Sequence, residues 1–367
     1  MDRCSGTPAQ PESHPDGPVG PRASHATIRP TMRLDDRFDE LVDTLAGFHR
    51  TWLVYLGVEL GLFTQLRAAG RIGLTTEELA QRVSCATGPI EAWVSGADAH
   101  ELAELVGDRV VLDEDSAVVL LDGARPEFLG GQFVHSVVAS LDWAGMIDFF
   151  RTGEPIRQRP DRWRQSIERL TVQDVAVFFQ EALAELPQLV SDLARGGRVV
   201  DIHCGGGRWL IAMAQRFPAA ELVGLELEAD SAARATAAVH AAGLTDRIQI
   251  RQSDLNGLGP ADGFDLAYFQ YALHVLGDPQ GALRSAAAAL RPGGRLLVLD
   301  WALPSSKEEF RSRQGELIAG VQLDELFQGT SLATRERVRS WFEGAGLAEP
   351  ATIELPSGAT LFVLERG

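Results

Sequence analysis

The fold of this chain is decided by a stretch near its middle, Val200-Asp201-Ile202-His203-Cys204-Gly205-Gly206-Gly207-Arg208-Trp209. An apolar strand is predicted over Arg198–His203 and a helix over Trp209–Arg216, with the glycines as the turn between them. Glycines at such a turn let a ligand approach the backbone, and the helix N-terminus favours an electron-rich group there. The stretch therefore predicts a ligand-binding bend at the end of a strand.

Strands and helices alternate from this point onward. The predicted strands are 198–203, 221–226, 247–251, 264–269, 295–300, 351–355 and 360–365, and the predicted helices are 209–216, 230–242, 279–290 and 334–345. This alternation is typical of an α/β fold with a parallel, doubly wound sheet. The last two strands lie too close together for a crossover helix, so we expect them to pair antiparallel.

Polar residues at the ends of these strands predict an adenosyl-type ligand. Glu226 follows Asp201 by 25 residues, where an acid can accept both ribose hydroxyls. Asp254 can accept a hydrogen bond from an adenine amino group, and Gln270 ends the fourth strand at the same sheet edge. The predicted cofactor-binding residues are Asp201, His203, Gly205, Gly206, Gly207, Glu226, Leu227, Asp254, Leu255 and Gln270.

Residues 195–367 resemble the class I S-adenosylmethionine-dependent methyltransferases. The resemblance lies in an acid, glycines at alternate positions, a second acid after strand two, and the turn Arg291-Pro292-Gly293-Gly294-Arg295. The whole layout looks like that of actinobacterial two-domain methyltransferases with an N-terminal winged helix. The resemblance implies S-adenosyl-L-methionine as cofactor, a Rossmann-like seven-stranded domain with an antiparallel terminal strand, a small-molecule substrate and a homodimer.

His203 departs from that pattern, because the family usually has glycine at its position. Either histidine is simply tolerated in place of glycine, or its side chain alters how the cofactor is used. Gly205–Gly207 still supply backbone for binding. Both interpretations stay open at this point.

His274 is the predicted catalytic residue. In the related O-methyltransferases, a histidine in such a Leu-His-x-x-x-Asp stretch is the general base that deprotonates the acceptor hydroxyl. The pKa of histidine lies near neutral pH, which suits this task. Other methyltransferase subgroups have a histidine here without catalytic use, so the resemblance leaves the role open.

The N-terminal part of the chain divides into three predicted segments. Residues 1–33 are rich in Pro, Gly, Ser and His and are predicted to be disordered. Residues 34–125 are predicted to form a winged-helix and dimerisation domain, with Thr75 and Glu78 as a helix capping box and a strand at 118–120. That domain carries 17 acidic against 7 basic residues, which argues against DNA binding.

Residues 126–194 are predicted to be a mostly helical linker and substrate-capping region, unusually rich in aromatic side chains. Most of these side chains are expected in the core, and a minority are expected to line a pocket for an aromatic or apolar substrate. The candidate pocket residues are Trp143, Phe150, Phe179 and, at the end of a strand, Trp301.

Bulk composition excludes several classes of protein. A net charge of −17 over 367 residues disfavours nucleic-acid partners, and no apolar run is long enough to span a membrane. Three scattered cysteines predict neither a disulfide framework nor a metal site, and they favour a cytoplasmic location.

Three functions remain after these exclusions. The first is O-methylation of an aromatic or natural-product hydroxyl. The second is a methyltransferase-fold protein that binds the cofactor but hydroxylates, decarboxylates or cyclises its substrate, an alternative that His203 keeps open. The third is a winged-helix DNA-binding regulator, which the acidic N-terminal domain disfavours.

Overall fold

The computed structural model describes residues 33–253, 258–259 and 262–367. The chain divides into two compact units, Met1–Gly47 and Phe48–Gly367. In the first unit, the described residues form the beginning of helix α1, which runs over Leu34–Glu59. The disorder predicted for residues 1–33 lies outside the described residues except at Arg33.

Short helices and a small sheet follow in the second unit. The helices are α2 (Leu62–Ala69), α3 (Thr76–Arg82), α4 (Thr87–Ala99) and α5 (Glu114–Leu121), and the strands are β1 (Leu74–Thr75), β2 (Glu104–Val106) and β3 (Arg109–Val111). The three strands are antiparallel in the order β1-β3-β2. The Thr75 hydroxyl and the Glu78 carboxylate form the predicted capping box at the start of α3.

The strand predicted at 118–120 is wrong, because these residues belong to helix α5. Asp113 caps that helix by accepting a hydrogen bond from the backbone N–H of Ser116 at 2.8 Å. Ala117 and Leu120 are buried three residues apart, which is a helical spacing. The β-branched residues Val118 and Val119 favour a strand in isolation, but the cap and the packing favour a helix.

The region before the large sheet is helical, as predicted. Its helices are α6 (Gly130–Ser140), α7 (Met146–Thr152), α8 (Asp161–Leu170), α9 (Val172–Val177) and α10 (Pro187–Ala194), with a π-helical turn at Phe178–Ala182 and 3-10 turns at Trp143–Gly145 and Leu183–Glu185. Ion pairs connect this region to the C-terminal part of the chain. The buried Arg159 pairs with Asp324, which also accepts a hydrogen bond from the Trp143 indole at 2.8 Å.

A seven-stranded sheet forms the C-terminal part of the chain. Its strands are β4 (Arg198–Ile202), β5 (Glu221–Glu226), β6 (Ile248–Gln252), β7 (Phe264–Gln270), β8 (Leu290–Asp300), β9 (Ala351–Glu354) and β10 (Thr360–Glu365). They lie in the order β6-β5-β4-β7-β8-β10-β9. Strands β4 to β8 are parallel, whereas β10 is antiparallel to both of its neighbours. The predicted fold class is confirmed.

Helices and apolar side chains cover both faces of this sheet. The helices are α11 (Arg208–Arg216), α12 (Ala229–Ala241), α13 (Pro279–Ala289), α14 (Lys307–Phe310), α15 (Arg313–Gln328) and α16 (Arg335–Gly344). Two buried clusters lie on opposite faces, because side chains alternate along each strand: Val199 belongs to one cluster and Val200 to the other. The predicted turn at 291–294 is an irregularity within β8, where the register with β7 shifts.

The length and composition of the helices in the described part of the chain bear on membrane insertion. No single helix there is long and apolar enough to cross a bilayer. Two consecutive segments, Gly130–Ser140 and Trp143–Thr152, have the length and apolar composition of a membrane span only when they are taken together. They are bent by 49° relative to each other.

Candidate functional site

The glycine bend between β4 and α11 opens toward the carboxyl edge of the sheet. Gly205 and Gly207 have φ values of +54° and +75°, in the left-handed region that favours glycine. A Cβ built on Gly205 would meet no atom within 4 Å, so there is free space in front of this part of the bend. The bend can therefore receive a ligand against its backbone.

Glu226, at the end of β5, lies directly beside this bend. One carboxylate oxygen accepts a hydrogen bond from the Gly205 N–H at 2.8 Å, and the other accepts from the Glu228 N–H at 3.0 Å. The residue is only 1% exposed. Two backbone donors thus hold the carboxylate at the place where strand-end acids of such sheets meet a ribose.

His203 lies on the other side of the same carboxylate. Its Nδ1 is 3.5 Å from a Glu226 oxygen, and its side chain is 36% exposed. The residue has a φ of +68°, a conformation in which glycine is unstrained and histidine is better tolerated than most side chains. The imidazole therefore packs toward Glu226 and leaves the front of Gly205 open.

Asp201 lies beneath the bend on β4 and is 3% exposed. Burial and, to a smaller extent, the negative charge of Glu226 together raise the pKa of its carboxyl to about 8. Asp201 and Glu226 lie at the carboxyl edge of adjacent parallel strands. Once both are ionised, the electrostatic potential in this part of the site is strongly negative.

His274 lies in a 3-10 turn, Leu273–Val275, after β7. Its Nδ1 is 2.7 Å from Asp300 Oδ2, at the end of β8, and its Nε2 is 3.9 Å from Glu325 Oε2, on α15. Burial lowers the pKa of this imidazole, but the charge and hydrogen bond of Asp300, together with Glu325, outweigh burial and raise the pKa to about 9. The arrangement stabilises an imidazolium.

The remaining predicted cofactor-binding residues have different surroundings, some buried and some exposed. Gln270 ends β7, and its side-chain oxygen is buried without a hydrogen-bond partner. Gly206 stands in the middle of the glycine bend, while the Leu227 side chain is 61% exposed just after β5. The predictions for Asp254 and Leu255 fall outside the described residues.

The four predicted pocket aromatics do not form one cluster. Trp301 lies near Tyr271, with ring centroids 6.5 Å apart, next to the turn that carries His274. Phe179 packs against Phe178 on the core, at 5.3 Å. Trp143 is bonded to Asp324 and 40% exposed, and Phe150 is 70% exposed.

Three acids near this edge were not among the predicted site residues. Asp300 was detectable, because it ends a parallel strand as Glu226 does. Asp174 on α9 and Glu325 on α15 sit inside helices, where an acid is ordinarily a solvated surface residue. Within the described residues, no group of three or more metal-ligating side chains is found.

Comparison with known proteins identifies the domain that carries this site. A family model described as "Methyltransferase domain" matches residues 175–349. The 27-O-demethylrifamycin SV methyltransferase of Amycolatopsis mediterranei (strain S699) is 29% identical over 174 residues, which cover 44% of this chain and 64% of that protein. Aclacinomycin 10-hydroxylase RdmB of Streptomyces purpurascens is 30% identical over 234 residues, 60% of each chain.

The chain thus spans less than two thirds of the length of these curated relatives. A solved structure of PigF with SAH aligns over 92% of this chain and 100% of that one, with a TM-score of 0.69 and 18% identity. At this identity the likeness concerns the fold. Together, the sheet order, the glycine bend and the matched family model show that residues 175–349 form a methyltransferase domain, in a chain with the fold of the class I S-adenosylmethionine-dependent methyltransferases.

Proposed function

We propose that this chain transfers a methyl group from S-adenosyl-L-methionine to an oxygen of a small aromatic or natural-product molecule, with His274 as general base. The observation that carries the proposal is the convergence of the glycine bend and Glu226, with the Gly205 N–H 2.8 Å from the carboxylate. The matched methyltransferase domain supports it. The rifamycin relative, whose name states an O-demethylated substrate, supports oxygen as the acceptor.

The residues around the bend fit this cofactor. The open front of Gly205 leaves room for a ligand against the backbone, and Glu226 can accept hydrogen bonds from ribose hydroxyls. Gln270 offers a buried oxygen that has no hydrogen-bond partner. The carboxylate of Glu226 also suits a ligand that carries positive charge.

When bound, S-adenosylmethionine supplies an electrophilic methyl group. The chain's task is to orient the acceptor, exclude water and remove one proton, and orientation alone is worth roughly 7–11 kcal/mol of barrier. In neutral His274, Nδ1–H donates to Asp300, which leaves Nε2 to accept the proton of the acceptor hydroxyl. Asp300 and Glu325 then stabilise the imidazolium that forms.

The pH dependence of turnover tests the role of His274. The imidazole must be neutral to act as a base, so kcat/KM for a phenolic acceptor should rise with pH, with its midpoint near the His274 pKa of about 9, and level off above that pH. Replacing Asp300 by Asn removes the charge that raises this pKa, so the midpoint should move to lower pH. S-adenosylhomocysteine formation across a pH series gives both profiles.

A substitution completes this test. His274→Ala should lower kcat by roughly 10²–10⁴-fold with cofactor affinity retained. His240→Ala, at an exposed histidine of α12, is the control and should behave as the unmodified chain. Full activity of His274→Ala would remove the residue from catalysis and leave the cofactor proposal standing.

A second candidate function is hydroxylation of the same class of substrate on the same fold, with dioxygen as the source of the added oxygen atom and a two-electron reductant that converts its second oxygen atom to water. It is favoured by the similarity to aclacinomycin 10-hydroxylase RdmB and by His203 in place of the usual glycine. Mass spectrometry of the product separates the two functions. Gain of a methyl group supports the first candidate, and gain of an oxygen atom without methyl transfer supports the second.

We also propose how the chain is organised. The predicted division at residues 34–125, 126–194 and 195–367 is retained, with the middle segment capping the substrate. A cytoplasmic location fits the three cysteines.

A homodimer through α1 is supported by a row of exposed apolar side chains on that helix. These are Leu34, Phe38, Leu41, Leu45 and Phe48, which are 84%, 65%, 56%, 65% and 56% exposed.

A further inference from the structure

A buried carboxyl group on α9 has no role in the chemistry described so far. Asp174 is 7% exposed. It lies on a short helix whose other buried residues include Ala176 and Val177. Its side chain is hydrogen-bonded to Gln270, the residue at the carboxyl end of β7. Asp174 therefore reaches the sheet edge where the glycine bend and Glu226 also lie.

The surroundings of Asp174 contain unsatisfied polar atoms. The hydroxyl of Tyr268 is fully buried without a hydrogen-bond partner, and the Gln270 oxygen is likewise unpartnered. Tyr268 and Gln270 project from the same face of β7, because they are two residues apart on one strand. Asp201 is the register partner of Tyr268 on the neighbouring strand β4. Burial raises the pKa of the Tyr268 hydroxyl well above its ordinary value, and the charges of Asp201 and Asp174 act in the same direction.

Asp174 has no compensating cation in the part of the chain that the structure describes. Within the described residues, no Lys, Arg or His side chain forms an ion pair with it. The other groups that face it are Gln270, Tyr268 and Tyr271 at the end of β7, and Asp300, whose partner is His274. Burying an uncompensated carboxylate is costly, so such a group either holds a proton or meets a positively charged ligand.

We propose that Asp174 is the counter-ion for the positively charged end of S-adenosylmethionine, with Gln270 and the Tyr268 hydroxyl as its neutral partners. The inference rests on the proposed function, since it takes the cofactor as the ligand. On binding, the O–H bond of the Asp174 carboxyl breaks, its proton passes to the buffer, and the carboxylate pairs with the cationic group. Burial raises the pKa of Asp174 to about 7, so a proton is available for release at neutral pH.

Titration calorimetry in two buffers of different ionisation enthalpy tests this linkage, at a pH just below the Asp174 pKa of about 7. The unmodified chain should release more than half a proton per S-adenosylmethionine bound. Its affinity for the cofactor should also increase with pH up to that pKa, by at most about tenfold per unit. Asp174→Asn should abolish this release and weaken binding by about tenfold or more.

The control variant is Asp148→Asn, at an exposed acid of α7, which should keep both the proton release and the affinity. Repeating the titration with S-adenosylhomocysteine distinguishes the two cationic groups. That ligand keeps the ammonium and lacks the sulfonium, so release with both ligands assigns Asp174 to the ammonium, and release with S-adenosylmethionine alone assigns it to the sulfonium.

Two outcomes would overturn the inference and leave the proposed function intact. One is cofactor binding without proton release by the unmodified chain, and the other is full release by Asp174→Asn. Absence of binding by either ligand would instead reject the proposed function itself. Asn is isosteric with Asp and lacks the buried charge, so the variant should fold, and thermal denaturation checks this.

Discussion

Glu226 shows how one side chain connects the backbone to a ligand. Its carboxylate is fixed by the N–H groups of Gly205 and Glu228, and the imidazole of His203 stands 3.5 Å away. A carboxylate held by fixed donors loses little freedom when it accepts further hydrogen bonds. The position of this acid therefore depends on the left-handed bend and on the register of β4 against β5.

We predict that Glu226→Gln weakens S-adenosylmethionine binding by about tenfold or more, because the amide cannot accept two charge-assisted hydrogen bonds from the ribose. Calorimetry measures the affinity. Glu221→Gln is the matched control, since Glu221 begins the same strand at the opposite edge of the sheet and its side chain is 76% exposed. Equal affinities of the two variants would exclude Glu226 from the cofactor site.

Sequence reasoning found the residues of the bend but not all of their neighbours. Glu226 and Gln270 were predictable because the ends of parallel strands meet at one edge. Asp174 reaches that edge from a helix that precedes β4, and no local pattern indicates which way a helical acid points. His203 was recognisable as unusual, but only the φ of +68° explains why glycine is favoured there.

Among the elements, the strands of the large sheet were predicted, whereas the sixteen-residue helix α15 and the short helix α5 were not. All seven strands of the large sheet were predicted, because each combines an apolar run with turn residues on both sides. Helix α5 was misread, since its eight residues include a Val-Val-Leu-Leu run that also suits a strand. Its Asp113 cap was the available signal for a helix.

Helix α1 carries a row of exposed apolar side chains. If its exposed apolar row forms a dimer interface, Leu41→Glu places a charge in that interface and should convert the dimer to a monomer in sedimentation velocity experiments. Arg50→Glu is the control, because Arg50 lies nine residues later and about 180° around the helix. A Leu41→Glu variant that sediments like the unmodified chain would rule out this helix as the interface.

The whole molecule is acidic, and three of its buried ionisable groups, Asp174, Asp201 and His274, change its stability with pH in the same direction. Burial raises the pKa of Asp174 to about 7 and of Asp201 to about 8, so the folded chain keeps protons that the unfolded chain has lost. Burial lowers the pKa of His274, but Asp300 and Glu325 outweigh burial and raise this pKa to about 9. His274 therefore contributes stability that is complete below its unfolded pKa and is lost above a pH of about 9. All three effects have the same sign.

We therefore predict that the free energy of unfolding falls as pH rises from about 6 to about 9, by up to about 1.4 kcal/mol per unit for each group that is titrating. Urea denaturation at a series of pH values measures this. Asp174→Asn should flatten the profile below pH 8 by removing one of the three groups. A stability that is constant or increasing over this range would contradict the pKa shifts.

The order of strands has a consequence for how the chain is made. Strand β9 is hydrogen-bonded to β10 in the described sheet, and β10 is inserted between β9 and β8. During synthesis, residues 351–354 therefore leave the ribosome before the strand that attaches them exists. Until residues 360–365 emerge, the edge of β8 that pairs with β10 stays open, and the nascent domain depends on residues 360–365 to close it.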